Sequence, residues 1–236
     1  MGVQMVAIFV VLMIVTFLVV DMVYQRVQAR KAVAAFQNVY KAHGINPISA
    51  ISVPDGLFFH PGHSWASILQ DGSVRVGLDD FTNKLVGKID SIEVKNFGGA
   101  VKQGDPLIVL RQGSRTAEIV APVDGTVEMI NEMAANNPET IRHSPYESGW
   151  VCAVKPTNLV ENLKKLNIAE TAKQWARNEV DRLQEFFTGS SFENRLVGQT
   201  LQDGGAPVEG VLRYMSDEAW GKFQDEFLSE GVEGQG

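Results

Sequence analysis

The chain has 236 residues, 44% of them hydrophobic and 21% charged, with a formal net charge of −7. That is material for one domain of moderate size with appendages, and dispersed basic residues in a net-acidic chain give no electrostatic footprint for nucleic acid. The single cysteine, Cys152, excludes an intrachain disulfide and any multi-cysteine metal or iron–sulfur site built from this chain alone.

The N-terminal stretch MGVQMVAIFVVLMIVTFLVV carries no side-chain charge. A helix of about 20 such residues, rising about 1.5 Å per residue, spans the hydrocarbon core of a bilayer. A signal peptide is the rival reading, but a basic leading region and a small-residue cleavage site are both missing. Residues 1–23 therefore read as an uncleaved transmembrane anchor. Arg26, Arg30, Lys31 and Lys41 follow the span, and only the terminal amine precedes it. The positive-inside rule then places the body on the cytoplasmic side of the inner membrane. Residues 24–56 read as a helical stalk, with Val33, Phe36 and Tyr40 at helical spacing, followed by a proline-containing linker.

From Leu57 the pattern changes to short apolar runs separated by turn chemistry. SWASILQDGSVRVGL reads as a hairpin turning at Asp71-Gly72. DDFTNKLVG is a short helix capped by Asp79 or Asp80 and ended by Gly87. KIDSIEV is a strand, AVKQGDPLIVL a turn feeding the strand Leu107 to Leu110, and AEIVAPVDGTVEMIN two strands about Asp124-Gly125. Many short strands with regular turns predict a small β-barrel or sandwich.

These residues resemble the H-protein of the glycine cleavage system, within the lipoyl/biotinyl hammerhead class. The elements that carry the likeness, in order, are His63-Ser64-Trp65, Val76-Gly77-Leu78-Asp79, Leu85-Val86-Gly87, the Gly99/Val101/Gly104/Pro106 set, Ala121-Pro122-Val123-Asp124-Gly125, Asn131, Pro138 and Pro145-Tyr146 with Gly149-Trp150. The resemblance implies a mainly β, lipoyl-type barrel-sandwich hybrid over residues 57–168, with the transmembrane helix before it and C-terminal helices after it. It also implies a lipoyl-bearing lysine eight residues before Pro122, where this chain has Ser114, with Arg115 one step on. No lysine lies between Lys102 and Lys155. Serine is the wrong nucleophile for the amide, and a guanidinium stays protonated at physiological pH. No cofactor is therefore expected, and Ser114 and Arg115 mark a degenerate lipoyl position. Arg111 stands where the family often has an acidic residue.

Other sites read as structural. His60-Pro61-Gly62-His63 holds too few ligands for a metal, and no catalytic constellation such as Gly-x-Ser-x-Gly or a Walker loop is present. His143 falls in a polar loop. Residues 169–236 read as a helical extension with a disordered tail. Just before it, after Pro156, NLVENLKKL forms a short helix led by Thr157 or Asn158; a long helix then carries an apolar stripe from Ile168 to Phe187, and QDGGAPVEGVLRYM runs as a loop and extended segment. SDEAWGKFQDEFL begins at a Ser216 cap and aligns Trp220, Phe223 and Phe227. These aromatics either pack the helices on the barrel or, with Arg111, Ser114 and Arg115, offer a surface to a protein partner.

The reading that results is a membrane-tethered, non-catalytic H-protein-like scaffold or docking module without lipoate. The alternatives are a lipoyl carrier of the glycine cleavage system and a periplasmic adaptor of the membrane-fusion type.

Overall fold

The computed structural model describes residues 51–189 and 209–229, together with positions 13, 16 and 17. The chain divides into two compact units, Met1–Asn46 and Pro47–Gly236, and the second carries everything described below. The expected span and stalk lie almost wholly outside the described residues. Among the described residues no helix is long and apolar enough to cross a membrane.

The strands are β1 (Phe58–Phe59), β2 (Ser64–Ile68), β3 (Val74–Leu78), β4 (Ser91–Val94), β5 (Ala100–Val101), β6 (Pro106–Gln112), β7 (Arg115–Val120), β8 (Gly125–Ile130), β9 (Cys152–Pro156) and β10 (Asn167–Ile168). The helices are α1 (Asp80–Val86), α2 (Glu132–Asn136), α3 (Glu139–His143), α4 (Leu159–Leu163), α5 (Ala169–Gly189) and α6 (Asp217–Phe223). One sheet runs β10-β1-β2-β3-β9-β8-β5 and a second runs β4-β6-β7. This is the mainly β sandwich with C-terminal helices that the turn spacing predicts.

Local chemistry explains the frame. Val74, Val76 and Leu78 alternate inward along β3, and all are buried. Leu107 to Leu110 in β6 form an unbroken buried run, as expected of a strand covered on both faces. Asp79, extended at φ −74° and ψ 167°, caps α1 by accepting from the Thr82 N–H, and Gly87 closes it at φ 70°. Leu57, Phe59, Trp65 and Ala172 form a cluster that Val53, Tyr146, Trp150 and Trp175 cover, which ties α5 to the barrel. Side chains such as Trp65 and Phe59, each about 1% exposed, are the principal apolar contribution, at roughly 1.5–3 kcal/mol for a full-sized apolar side chain. The incoming chain is strapped down as well. The Tyr146 hydroxyl donates to the Ser52 carbonyl at 2.7 Å and accepts from the Asp80 N–H at 2.8 Å.

Three local expectations are corrected. The polar loop around His143 holds two one-turn helices, α2 and α3. Asn131 caps the first by accepting from the Met133 N–H. Asn158 occupies the N-cap position of α4, but its side chain makes no capping hydrogen bond. Residues Val211–Tyr214 form a 3₁₀ turn instead of an extended segment. Its carbonyls there face an arginine about a hundred residues away, a partner that local pattern cannot reveal.

Candidate functional site: the β6–β7 tip and the segment that holds it

The β6–β7 hairpin pairs Gln112 with Arg115 across a two-residue turn, Gly113-Ser114. Gly113 has φ 58°, as the first central position of a type II′ turn requires. The Asp90 carboxylate accepts from its N–H at 2.8 Å. Ser114 is exposed at the apex. Arg111, also exposed, pairs with Glu93 at 3.1 Å, and both side chains are more than half exposed. Such a pair contributes little.

Arg115 is different. Its side chain is only 14% exposed. Its Nε donates to Asp217 Oδ1 at 3.0 Å, Nη1 donates to the Leu212 and Arg213 carbonyls at 3.1 and 3.4 Å, and Nη2 donates to the Met215 carbonyl at 2.6 Å. The guanidinium also sits 5.5 Å from the Trp220 ring centroid. One planar cation thus takes up the Leu212, Arg213 and Met215 carbonyls and one acid of the α6 first turn. Five donors in a fixed fork suit that task.

The segment 209–229 is fastened along the same face. The Trp220 indole N–H donates to the Thr116 carbonyl at 2.9 Å. The Gly210 N–H donates to the Lys84 carbonyl at 2.7 Å, and a Cβ on Gly87 would lie 2.7 Å from the Gly210 Cα. Glycine at 87 therefore serves both the helix end and the close approach of the tail. Trp220, Phe223 and Phe227 are 5%, 0% and 0% exposed. Phe227 stacks with Phe223 at 5.1 Å and contacts Phe81 of α1 at 6.0 Å. These aromatics pack the protein's own core, and none offers its face to a partner. Ser216 caps α6 by accepting from the Ala219 N–H, as the sequence predicts.

A second charged cluster fixes α5. His63, fully buried and at φ 62°, has its Nδ1 2.7 Å from Asp79 Oδ2. Its Nε2 lies 3.8 Å from Glu179 Oε2, too far for a hydrogen bond but close enough for a charge contact. The ring stacks on Phe81 at 4.3 Å and meets Trp175 at 5.1 Å. Burial pulls the His63 pKa down, but the charge and hydrogen bond of Asp79, with Glu179 behind it, outweigh burial and hold it up at about 9. Burial raises Glu179, and His63 and then Arg182 more than reverse this, leaving it below the ordinary carboxylate value. Arg182 chelates that carboxylate at 2.9 and 3.0 Å, donates to the Glu226 carbonyl at 3.2 Å and lies over Phe227. The same α5 stripe therefore reaches the C-terminal segment. His60 takes the opposite course. Burial, then the charge of His63, then Lys165 push it down to about 4, and its Nδ1 accepts from the Gly62 N–H. Burial pushes the Cys152 thiol up to about 12, so it is an inert core group.

Sequence reasoning missed Glu179 and Asp217. Glu179 was detectable as the one acid on the apolar α5 stripe, between Ala176 and Leu183. Asp217 reads locally as an ordinary first-turn acid.

This geometry has relatives. The glycine cleavage H-protein family matches residues 57–179. The chain belongs to that family. A "Probable glycine cleavage system H protein" of Thermococcus kodakarensis is 35% identical over 131 residues, covering 56% of this chain and 97% of the relative. The "Glycine cleavage system H protein" of Saccharophagus degradans is 34% identical over 114 residues, covering 48% and 88%. A crystal structure of a glycine cleavage system H protein from Mycobacterium marinum is 25% identical, with a TM-score of 0.45, covering 54% of this chain and 98% of that one. The H-protein match ends at residue 179, so Arg182 and the whole 209–229 segment lie beyond it.

Proposed function

We propose that this chain is a non-catalytic docking member of the H-protein family, carrying no lipoyl group and tethered to the inner membrane through residues 1–23 with its body on the cytoplasmic side. The observation that carries the proposal is the occupation of the β6–β7 tip. Arg115, one step from the position where the family resemblance expects the modified lysine, is held by Asp217 and three carbonyls of the protein's own C-terminal segment. A swinging arm needs an acceptor amine on a tip free to enter a partner, and this tip has no lysine and has its β7 flank taken by the C-terminal segment. The uncharged N-terminal run and the basic residues after it support the tether and its orientation. What remains available to a partner is the rest of the barrel surface.

A second reading, a lipoyl carrier in glycine cleavage, is favoured by the names of the relatives. Intact mass of the chain purified from its host's membranes separates the two. The docking reading expects the unmodified mass and co-purifying protein after mild solubilisation. A lipoyl adduct mapped to residues 111–121 would replace it with the carrier reading.

A further inference from the structure

At the end of β6 and β7 opposite the tip, roughly 20 Å away at the strand rise, lies a polar cavity of about 520 Å³. Its floor is a closed network. Asn162, 3% exposed, accepts from the Asp124 N–H through Oδ1 at 2.9 Å and donates through Nδ2 to Gln103 Oε1 and Asp124 Oδ2, both at 3.1 Å. Asp124 Oδ1 in turn accepts from the Gln103 N–H at 2.7 Å. The other two acids of the lining are engaged as well. Asp105 Oδ2 accepts from the Lys102 N–H at 2.9 Å, and Glu161 pairs with Lys164 at 2.7 Å.

What the network leaves over is donors. The His60 ring is held in place by its backbone, whose N–H donates to the Ser64 carbonyl at 2.8 Å and whose carbonyl accepts from the His63 N–H at 2.9 Å. Its Nδ1 accepts from the Gly62 N–H, and a neutral imidazole that accepts at Nδ1 carries its proton on Nε2. That Nε2 makes no hydrogen bond among the described residues, although the side chain is almost wholly buried, and it is not sealed in the core, because the ring forms part of the cavity wall. Lys165, close enough for its charge to act on this ring, and Lys102 line the same cavity. Neither ammonium has an ion pair or hydrogen bond among the described residues. A fixed N–H with two mobile ammoniums beside it suits an oxyanion, which forms charge-assisted bonds to all three. Three acids against two lysines restrict that anion to one charge, since a dianion would meet more like charge than the lysines offset. The cavity is larger than a carboxylate head, and Pro61 and the lysine stems give the rest of a small organic molecule an apolar wall.

We infer that this cavity is a binding site for a small organic monocarboxylate, whose carboxylate accepts from the His60 Nε2–H and from the ammoniums of Lys102 and Lys165. No residue of the tip or of the 209–229 segment lines it, so the inference stands apart from the question of whether the hairpin tip is modified.

The test is a titration of the ¹⁵N-labelled full chain in nonionic detergent with sodium butyrate, at about pH 8 and at an ionic strength held constant with sodium chloride. Nuclear magnetic resonance follows the His60 imidazole and the backbone amides of Gln103 and Asn162. These signals should shift saturably with a midpoint of order 1–10 mM, as a ligand of so few atoms allows, while the exposed His143 ring stays unmoved. Inorganic phosphate, mostly a dianion at this pH, should bind more weakly. His60→Asn keeps an acceptor for the Gly62 N–H and withdraws the donor from the cavity. It should weaken binding at least about tenfold, the loss of one hydrogen bond to a charged group. K102A/K165A, at two exposed positions, should weaken it about fivefold, and unchanged far-UV circular dichroism verifies that both variants are folded. The inference is overturned by the lack of a saturable shift up to about 100 mM butyrate, by the same shifts on adding chloride alone, or by a K102A/K165A variant that binds as wild type does. Phosphate binding more tightly than butyrate overturns the assignment to a monocarboxylate.

Discussion

Two hairpins of the barrel end in turns of similar local chemistry and meet different fates. The β2–β3 hairpin turns at Asp71-Gly72, where Gly72 has φ 81° and the Asp71 carboxylate accepts from the Ser73 N–H and hydroxyl. That turn is exposed and satisfied by itself. The β6–β7 hairpin turns at Gly113-Ser114 with the same positive φ at glycine, yet its next residue is clasped by a segment about a hundred residues away. Turn chemistry sets the shape of a tip, and long-range contacts decide whether the tip is available. In this H-protein family member the tip is occupied on its β7 flank.

The comparison is broken most severely by removing what holds the clasp in place. Phe227→Ala should cost about 3–5 kcal/mol, because a fully buried ring wedged among Phe81, Phe186 and Phe223 leaves a cavity. Urea titration measures this, and the loss should fall on the β6–β7 side of the barrel while β2–β3 stays protected from hydrogen exchange.

The pH dependence comes next. His63 binds its proton more tightly folded than unfolded, so its stabilisation is complete below the unfolded value of about 6.5 and drains away as pH rises through about 9. Stability should therefore fall over that window by up to about 3 kcal/mol. The groups facing the imidazole are Asp79 and Glu179, with Phe81 and Trp175 on its faces. Glu179, with its pKa lowered, contributes stability that is present above the ordinary carboxylate value and lost on acidification. His63→Gln should flatten the alkaline limb, read as denaturation midpoints at pH 6 and pH 9.

Arg115→Ala should cost roughly 1.5–3 kcal/mol, the range for hydrogen bonds to a charged group. Arg115→Lys should recover only part of it, because an ammonium cannot span Asp217 and three carbonyls as a planar fork does. The smallest effects belong to the tips. Gly72→Ala meets no atom within 4 Å and should lose about 1 kcal/mol to its positive φ alone. Ser114→Lys, at an exposed apex, should change the thermal midpoint by no more than a degree or two, since surface substitutions stay within about 0.5 kcal/mol.

What was legible in the sequence follows the range of the interactions. The Asp79 cap, the Gly87 helix end, the Asp71-Gly72 turn and the alternation of β3 are written in residues two to five apart, and they stand where the pattern puts them. The ordered turn elements from His63 to Trp150 led to the family. The rest is carried by partners far apart in sequence. Arg115 looks like a relaxed surface residue until the Leu212, Arg213 and Met215 carbonyls are brought to it. Trp220 and Phe227 are aromatic enough for an interface or a core, and only packing against Thr116 and Phe81 decides for the core. His63 and Glu179 sit 116 positions apart, so neither local window shows a charged pair.

The central claim is that the tip is held by the chain's own C-terminal segment through Arg115. Hydrogen exchange of residues 209–229 in the full-length protein, compared with Arg115→Ala, tests it most directly. The account predicts protected amides in this segment in the wild type, and a loss of that protection in the variant with β2 and β3 unchanged. Fast exchange of the segment in the wild type, or protection that survives the loss of Arg115, would contradict it.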